Sequence, residues 1–486
     1  MAIKTPEQYL DSLTKSKPNV FIAGKRIHNI LDDPNLKVTI NIFAKTYAMA
    51  KDPEYEDIFT ATSHLTGEKI SRWDHVPRSI EDLEKRRQMN VIMAQKTGAC
   101  SARCVGTGVM HVMSAVTHSV DKKYGTEYNK RFNEFLKYIQ ENDLACNGPM
   151  TDAKGDRGKR PGQQEDPDVY LRVVEKRSDG IVVRGAKMHQ EGSFACNYHI
   201  VVPPIAALRK GEEEFAVSFA VPVDAEGLVH IVSYGPFESE RRHAEDIGDL
   251  GSPTYGSSLN CMMVFDDVFI PWERVFLCGE TEFALDALSK FAKIHNMLCR
   301  GSCKVGYMDL IIGATQMVAE QNGIDKANHV IDKITEMMRI RETVNALATA
   351  AFLQGSEDPP GSGVYFPDYV SSVVTAIQTQ LELPRMGIMA GDLAGGSVVT
   401  LPGVAELRND ETKGYVEKYM KAAGPSAEER IRTLKYLQHW VAGPQVIKMW
   451  HGGGPLQGHY SALGRLGQPG LENKKKLVKE LIGLKS

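Results

Sequence analysis

The sequence lacks several features that would place it in a narrow class at once. Its 486 residues contain no run of 18 apolar residues, so no membrane-spanning helix is predicted. Residues 1–21 contain no apolar segment of the signal-peptide type, and we therefore expect a cytoplasmic protein. The net charge is only −3, which gives no electrostatic reason to expect a nucleic-acid partner. No glycine-rich turn has the GxGxxG spacing, so no dinucleotide fingerprint is supported.

Cysteine is also scarce, with eight in the whole chain, too few for a disulfide scaffold. In a reducing cytoplasm, clustered cysteines more often bind metal or do redox chemistry. Residues 98–106 carry Cys100 and Cys104, in a region predicted to be helical, where a spacing of four puts both thiols on one side. Cys299 and Cys303 repeat that spacing 200 residues later, and His295 precedes them by one turn. These five side chains are predicted to surround one metal centre.

A single CxxxC pair on a helix is equally consistent with core packing, because free cysteine is among the most buried residue types. Zinc knuckles prefer a gap of two residues between their cysteines. The four-residue spacing, found twice, therefore favours a larger object such as an iron–sulfur cluster.

The residue pattern predicts an α+β chain in three parts, with boundaries at 1–145, 146–280 and 281–486. Ser79 is a predicted N-cap, and an apolar stripe at three- and four-residue spacing follows in the same helical region, at Tyr128, Phe132, Phe135, Leu136 and Ile139. Short β-branched runs separated by Gly, Asp and Pro predict a compact β domain. Its strands are expected at residues 170–174, 181–183, 200–202, 216–223 and 262–270. Later helices are expected at residues 308–318, 330–351, 369–381, 427–441 and 473–484.

A polar loop at residues 150–157 lies at the entry to this β domain. Its backbone N–H groups, Thr151 and Lys154 are of the kind that grip a flavin edge or a phosphate, although an ordinary solvated connection has the same composition. His189 and Gln190 follow a strand, and a lone histidine there is more often structural. Glycine-rich turns at residues 392–397 and 451–455 are able to approach a cofactor closely.

Specific stretches resemble a known family. They are residues 136–144, 150–157, 173–177, 180–187 and 264–266, together with both cysteine segments. Over nearly its whole length the chain resembles the 4-hydroxybutyryl-CoA dehydratase (vinylacetyl-CoA Δ-isomerase) family, within the wider 4-hydroxyphenylacetate 3-hydroxylase family. The resemblance implies an acyl-CoA-dehydrogenase-like fold with an N-terminal helical domain, a central β-barrel and a C-terminal helical bundle. It also implies FAD, a [4Fe–4S] cluster, a small acyl-CoA substrate and a homotetramer built as a dimer of dimers.

The resemblance also implies which residues form the site. The implied cluster ligands are Cys100, Cys104, His295 and Cys303. The implied cofactor-binding residues are Met150, Thr151, Lys154, His189 and Gln190, with Asp392, Gly395 and Gly396 reaching a cofactor from a neighbouring subunit. The implied catalytic positions are His295, Lys304, Cys299, Arg300, Glu191 and Lys448.

The chain departs from the family pattern at several of these positions. Where the family has a tyrosine, this chain has Cys299 or Arg300. Where the family has a threonine, it has Glu191. Two family glutamates fall at Asn260 and Lys448. Replacing glutamate by lysine inverts a charge, so one proton-transfer role cannot be shared by the two residues.

The fourth cluster ligand has two candidates. His295 is favoured because the helix leading into it matches the family without a gap, and Cys299 because it lies one turn from Cys303. Eight residues separate His295 from Cys303, which is about 80° off alignment on a regular helix. A π-bulge would absorb the extra residue and let both converge, and we expect His295 to be the ligand.

Three functions remain open. The first is a lyase or isomerase that uses FAD and an iron–sulfur cluster on a CoA thioester. The second is a reduced-flavin monooxygenase acting on a phenol, a type without a cluster. The third is an electron-transfer or sensing protein, since several catalytic positions are replaced.

Overall fold

The computed structural model describes residues 3–443, 445–446 and 453–484. Lys448, a predicted catalytic residue, and the first two residues of the predicted turn at 451–455 lie outside the described residues. Helices dominate both ends of the described chain, and most strands lie between residues 146 and 278. The helices are α1 Pro6–Lys15, α2 Pro34–Lys51, α3 Glu56–Phe59, α4 Ile80–Thr97, α5 Arg103–Tyr124, α6 Tyr128–Asn142, α7 Pro236–His243, α8 Thr281–His295, α9 Lys304–Gln321, α10 Asn328–Leu353, α11 Tyr369–Ala394, α12 Lys413–Tyr419, α13 Ala427–Val441 and α14 Leu456–Leu481.

The strands of the described chain form a six-stranded sheet, a four-stranded sheet and two short two-stranded pairs. Their bounds are β1 Asn19–Ile22, β2 Lys25–Ile27, β3 Thr60–Thr62, β4 Lys69–Ser71, β5 Cys146–Asn147, β6 Arg172–Lys176, β7 Gly180–Glu191, β8 Tyr198–Val201, β9 Val217–Pro222, β10 Leu228–Val232, β11 Asn260–Pro271, β12 Val275–Cys278, β13 Ser356–Glu357 and β14 Tyr365–Phe366. The larger sheet has the order β2-β1-β10-β11-β7-β6, and the smaller has the order β12-β9-β8-β5.

The two main sheets share one apolar core. Val183 and Phe265 of the larger sheet are buried in it with Val201 and Phe219 of the smaller sheet. The rings of Phe219 and Phe265 lie 6.0 Å apart, edge to face. Burial of such aromatic side chains is a main source of stability at the contact between two sheets.

The predicted β-barrel is wrong for the described strands, which form two separate sheets without a closed barrel. The chain leaves β11 at Pro271, which has no N–H to continue a ladder, and a single 3-10 turn carries it into β12 of the other sheet. The mixed helix-and-sheet class is confirmed. The acyl-CoA-dehydrogenase-like arrangement and the domain boundaries stay predictions.

Four strands, β1 to β4, lie in the N-terminal region that was predicted to be helical. β1 and β2 form a hairpin near the N-terminus, and β1 joins the larger sheet by pairing parallel with β10. The four-residue run of β1 is too short to show a periodic pattern. Its place in the sheet depends on β10, which lies about 200 residues later.

The continuous helix predicted across residues 98–106 is also wrong. α4 ends at Thr97, where Gly98 adopts a left-handed conformation with φ 61° and its N–H bonds to Ala94. Such a glycine is a common helix C-terminus. Ala102, with φ 58°, precedes the start of α5 at Arg103. Cys100 therefore lies in a tight loop, and Cys104 lies in the first turn of α5.

Two glycines let the helices next to the cysteines approach their neighbours. A Cβ at Gly306 of α9 would lie 2.6 Å from the carbonyl oxygen of Val91 on α4. A Cβ at Gly106 of α5 would lie 2.1 Å from the carbonyl oxygen of Cys146 on β5. Only glycine fits at these two backbone contacts, which hold α9 against α4 and α5 against the smaller sheet.

Among the described helices, none has the length and hydropathy that crossing a membrane requires. All eight cysteines lie in the described residues and carry free thiols.

The contact at Gly306 leads to a stability prediction. In Gly306→Ala the new methyl group pushes α9 away from α4, and we expect a loss of about 1–3 kcal/mol in the free energy of unfolding. Gly313 is the matched control, since it lies on the same helix and a Cβ there would meet nothing within 4 Å. Gly313→Ala should gain up to about 1 kcal/mol from helix propensity. Chemical denaturation compares the two variants, and equal stabilities would show that the close approach is not required.

Candidate functional site

The second cysteine segment forms a π-helix, Asn296–Cys303, between α8 and α9. The Lys304 N–H bonds to the carbonyl oxygen of Cys299, five residues earlier, and the Ser302 hydroxyl donates to the Met297 carbonyl at 2.5 Å. A spacing of five residues defines the π form, which often occurs at functional sites. The predicted π-bulge is confirmed.

The four thiols of the two segments converge, as the sequence predicts. The thiols of Cys100 and Cys104 lie side by side, as do those of Cys299 and Cys303, and the Cys303 thiol donates to the Cys299 carbonyl oxygen at 2.9 Å. The charge of Cys303 contributes to the raised pKa of Cys100, so the two pairs lie close to each other. In each pair one thiol pKa is raised and the other is lowered, because one thiol stabilises the thiolate form of its neighbour: Cys104 and Cys299 have the lowered values.

His295, the last residue of α8, lies beside these thiols. Its ring stacks on Phe291 with centroids 4.8 Å apart, and its charge lowers the pKa of Cys104. Burial lowers the pKa of His295 itself, but the neighbouring Cys299 thiolate outweighs this, so the pKa is raised. Its Nδ1 atom is enclosed, and no hydrogen-bond partner for it exists within the residues that the structure describes.

Two buried cations face the thiols. Burial lowers the pKa of the Lys304 ammonium, but the charges of Cys299 and Cys303 outweigh burial and the pKa is raised. Its Nζ lies 4.7 Å from the centre of the Tyr307 ring. Arg300, fully buried, donates from Nη2 to the carbonyl oxygen of Gly454 at 3.2 Å. Positive charge beside thiols favours the thiolate, which is the form that binds metal.

The side chains gathered at this site are of the types that ligate an iron–sulfur cluster. Within the described ranges, no group of three or more His, Cys, Asp or Glu side chains has the geometry for one metal ion. A four-iron cluster spreads its ligands more widely and takes thiolates, with imidazole as an occasional replacement. Three buried thiols, the partly buried Cys100 and the enclosed Nδ1 of His295 match that chemistry.

Glu191, a predicted catalytic residue, ends β7 beside the same site. The Asn147 side chain donates to its carbonyl oxygen at 2.8 Å. The next residue, Gly192, touches the first cysteine loop, since a Cβ there would lie 2.9 Å from the Cβ of Ala102. The charge of Glu191 contributes to the raised pKa of Cys100. Asn260 is its cross-strand partner on β11, so the two side chains share one face of the sheet.

The residues predicted to bind flavin lie around the start of the β region. The loop is held by two contacts to β7: the Met188 N–H donates to the Thr151 carbonyl at 2.6 Å, and the fully buried Lys187 and Asp152 form an ion pair at 2.9 Å. Met150 and Gln190 are buried, and the Gln190 amide donates to the Met188 carbonyl.

His189 is exposed on the same strand, with φ 62°, and Lys154 is half-buried with φ 74°. Positive φ is uncommon for residues other than glycine and marks local strain, which is often found at ligand sites. Asp392, Gly395 and Gly396 lie elsewhere, at the exposed end of α11, where Asp392 pairs with Lys333 at 2.5 Å. Their contribution to a neighbouring subunit stays a prediction.

Sequence reasoning missed Tyr307. It is buried on α9, one turn after Cys303, and its ring lies 5.1 Å from that of Trp440. Burial raises the pKa of its phenol well above the ordinary value, and the charges of Cys303, Cys100 and Glu191 add to the effect. The four-residue spacing from Cys303 was a signal for it, because such positions share a helix face.

The fold is shared with a solved protein. It matches a solved oxygenase component of 4-hydroxyphenylacetate 3-monooxygenase in complex with FAD, with a TM-score of 0.84 and 22% identity, covering 99% of each chain. The particular family follows from the sequence models for the N-terminal and C-terminal parts of 4-hydroxyphenylacetate 3-hydroxylase, which match residues 5–277 and 284–483. The chain belongs to the 4-hydroxyphenylacetate 3-hydroxylase family.

Within that family the chain is similar to dehydratases. It is 40% identical to the 4-hydroxybutyryl-CoA dehydratase/vinylacetyl-CoA-Δ-isomerase of Clostridium aminobutyricum, over 99% of this chain and 100% of that protein. An oxygen-tolerant archaeal 4-hydroxybutyryl-CoA dehydratase from N. maritimus has a TM-score of 0.95 at 34% identity, covering 100% of this chain and 96% of the other. The oxygenase component of Thermus thermophilus 4-hydroxyphenylacetate 3-monooxygenase is 26% identical, over 89% of this chain and 87% of that protein. The predicted relationship to the dehydratases, a lyase and isomerase type of enzyme, is confirmed.

The buried Lys187–Asp152 pair gives a second prediction. Lys187→Met leaves the Asp152 carboxylate buried without its counter-charge, and we expect a loss of about 3–5 kcal/mol in the free energy of unfolding. The double variant Lys187→Met with Asp152→Asn removes both charges and should recover much of that loss. Chemical denaturation measures the stability, and limited proteolysis at the exposed residues 157–159 reports whether the loop is released. A Lys187→Met protein as stable as wild type would contradict the role of the pair.

Proposed function

We propose that this protein is a dehydratase and double-bond isomerase for a short hydroxyacyl- or enoyl-CoA thioester, dependent on FAD and a [4Fe–4S] cluster. The observation that carries the proposal is the convergence of two separate CxxxC segments and His295 on one buried site. The 40% identity to a 4-hydroxybutyryl-CoA dehydratase over 99% of the chain supports the substrate class.

The reaction class explains why such a site is needed. The hydrogen on the carbon next to a thioester is weakly acidic, but the hydrogen on the following carbon is far less so. A flavin beside a Lewis-acidic iron supplies the one-electron and hydroxyl-binding chemistry that removal of the second hydrogen needs. The proposed cluster ligands are Cys100, Cys104, Cys303 and His295, and the proposed flavin contacts are Met150, Thr151, Lys154, His189 and Gln190.

The remaining site residues bind and orient the substrate. Lys304, buried and cationic, is suited to hold the carbonyl oxygen of the thioester, where negative charge develops when the neighbouring proton leaves. Arg300 is anchored by Gly454 and adds positive charge on the same side. Burial excludes water and strengthens both interactions.

The other proposed catalytic positions and contacts rest on the resemblance. Cys299 and Lys448 are the further catalytic positions, and His295 would also accept a proton when it is not ligated. The proposed assembly is a homotetramer, a dimer of dimers, in which Asp392, Gly395 and Gly396 reach a cofactor of the neighbouring subunit. Free thiols of this kind require a reducing compartment such as the cytoplasm.

A flavin-dependent monooxygenase is the second candidate, favoured by the fold shared with the FAD-bound oxygenase component. The two candidates differ in the metal group they contain. A monooxygenase of this type has no cluster and therefore needs no group of four thiols at one site. An electron-transfer protein is the third candidate. It is supported by the contacts of Cys299 with both Cys303 and His295, since a fourth thiol beside them is of the type that ligates a cluster.

Anaerobic purification followed by absorption spectroscopy and by iron, sulfide and flavin analysis separates the three. We expect a broad band near 400 nm in addition to the flavin bands, about four irons and four sulfides per chain, and turnover of 4-hydroxybutyryl-CoA or another ester of a hydroxyacyl-CoA panel. Cys104→Ser should lose the iron. Cys278→Ser, a half-buried cysteine outside the site, is the control and should keep it.

The contrary outcomes are distinct. Flavin without iron supports the monooxygenase, and iron with sulfide but no turnover on any ester of the panel supports electron transfer. Either result refutes the proposed dehydratase.

A further inference from the structure

We propose that Ser258 is a positioning residue that holds the Glu191 carboxylate for proton transfer at the thiol site. The inference rests on the proposed function and deepens it by assigning one proton transfer to named side chains.

The contact itself is a hydrogen bond between two strand ends. The Ser258 hydroxyl, on the segment that leads into β11, donates to Oε1 of Glu191 at the end of β7. Ser258 is 1% exposed and the bond is partly buried, which limits competition from water. A hydrogen bond to a charged acceptor in such surroundings is among the stronger kinds.

Both partners are fixed by their backbones. The Leu259 N–H donates to the Thr39 hydroxyl at 3.0 Å, and the Gly192 N–H donates to the Leu259 carbonyl at 2.8 Å. Asn147 holds the carbonyl oxygen of Glu191. With the main chain held on both sides, the remaining freedom of Glu191 is its side-chain rotation, and the Ser258 hydroxyl restricts it.

The carboxylate lies next to the groups that make up the site. Gly192 packs on Ala102 in the first cysteine loop. The charge of Glu191 acts to raise the pKa of Cys100, Cys104 and Tyr307, so the carboxylate lies near these groups. A carboxylate in that place is suited to take a proton from substrate held by Lys304, because general bases act within hydrogen-bond reach of the proton they remove.

The step is balanced without an added reactant. The C–H bond next to the thioester carbonyl breaks, an O–H bond forms on Glu191, and the electron pair stays on the substrate as an enolate beside Lys304. In double-bond migration Glu191 returns the proton to the terminal alkene carbon, so nothing is oxidised or reduced overall.

The test uses the cofactor-loaded protein and vinylacetyl-CoA in D₂O. Ser258→Ala should lower kcat for isomerisation, and the rate of deuterium incorporation, by about tenfold or more, with KM, flavin and iron content unchanged. Ser258→Thr keeps the hydroxyl and should stay within about threefold of wild type. Ser257→Ala is the matched control: the Ser257 hydroxyl is buried without a hydrogen-bond partner in the described part of the chain, and its loss should change nothing.

A double-variant cycle shows whether Ser258 acts through Glu191. In a Glu191→Gln background, Ser258→Ala should cause no further loss. Should Ser258→Ala fail to fold, Ser258→Cys, of similar size but a poorer donor, takes its place with the same expected loss.

Three results would overturn the proposal. The first is a wild-type kcat in Ser258→Ala, and the second is a loss of kcat in Ser258→Thr equal to that in Ser258→Ala, together with reduced cofactor content. The third is that Ser258→Ala lowers kcat as much in the Glu191→Gln background as in the wild type. These three results can be told apart from the case in which the proposed function itself is wrong. In that case the loaded wild-type protein itself neither isomerises vinylacetyl-CoA nor exchanges its protons, and both assignments are wrong.

Discussion

The contact between α4 and α9 is the constraint on which the site depends. It sets the first cysteine loop, which follows α4, against the π-helix, which precedes α9. Because Gly306 lies against the backbone of Val91, the two helices approach more closely than any side chain would allow. Four thiols then lie near the buried Lys304 and Arg300, and these cations offset the cost of thiolate charge away from water.

The π-helix adds a second constraint within one segment. Eight residues on a regular helix would turn His295 away from Cys303, whereas hydrogen bonds to the fifth preceding residue widen the turn and change that alignment. Cys299 lies between the two and contacts both. The geometry therefore accommodates the extra residue without giving up either candidate for the fourth ligand.

Local signals in the sequence were sufficient for much of the helical structure. The helix predicted at residues 427–441 matches α13, Ser79 caps α4, and the stripe from Tyr128 to Ile139 is buried. The helix predicted across residues 98–106 failed because the left-handed conformation of Gly98 competes with the helical pattern of its neighbours. The two-sheet arrangement and strand β1 depend on pairing between distant segments, which periodicity within one segment does not encode.

The thiols that the structure brings together were predictable from the sequence, and the polar groups beside them were less so. Spacing alone identified all four thiols and His295, because core packing rarely requires soft ligands at the same spacing in two separate segments. The positions of Ser258 and Tyr307 come from the register of β7 with β11 and from the packing of α9, neither of which is visible before the chain is folded.

The proposed cluster and its histidine ligand are tested most directly by electron–nuclear double resonance on the anaerobically reconstituted, reduced protein, prepared with ¹⁵N-labelled histidine. One strongly coupled histidine nitrogen is the predicted result, present in Cys299→Ser and absent from His295→Ala. A cluster signal without nitrogen coupling, lost in Cys299→Ser and unchanged in His295→Ala, would mean that four thiolates close the cluster. The proposed Lewis-acidic iron with its histidine ligand, and the dehydratase chemistry that depends on it, would then be contradicted.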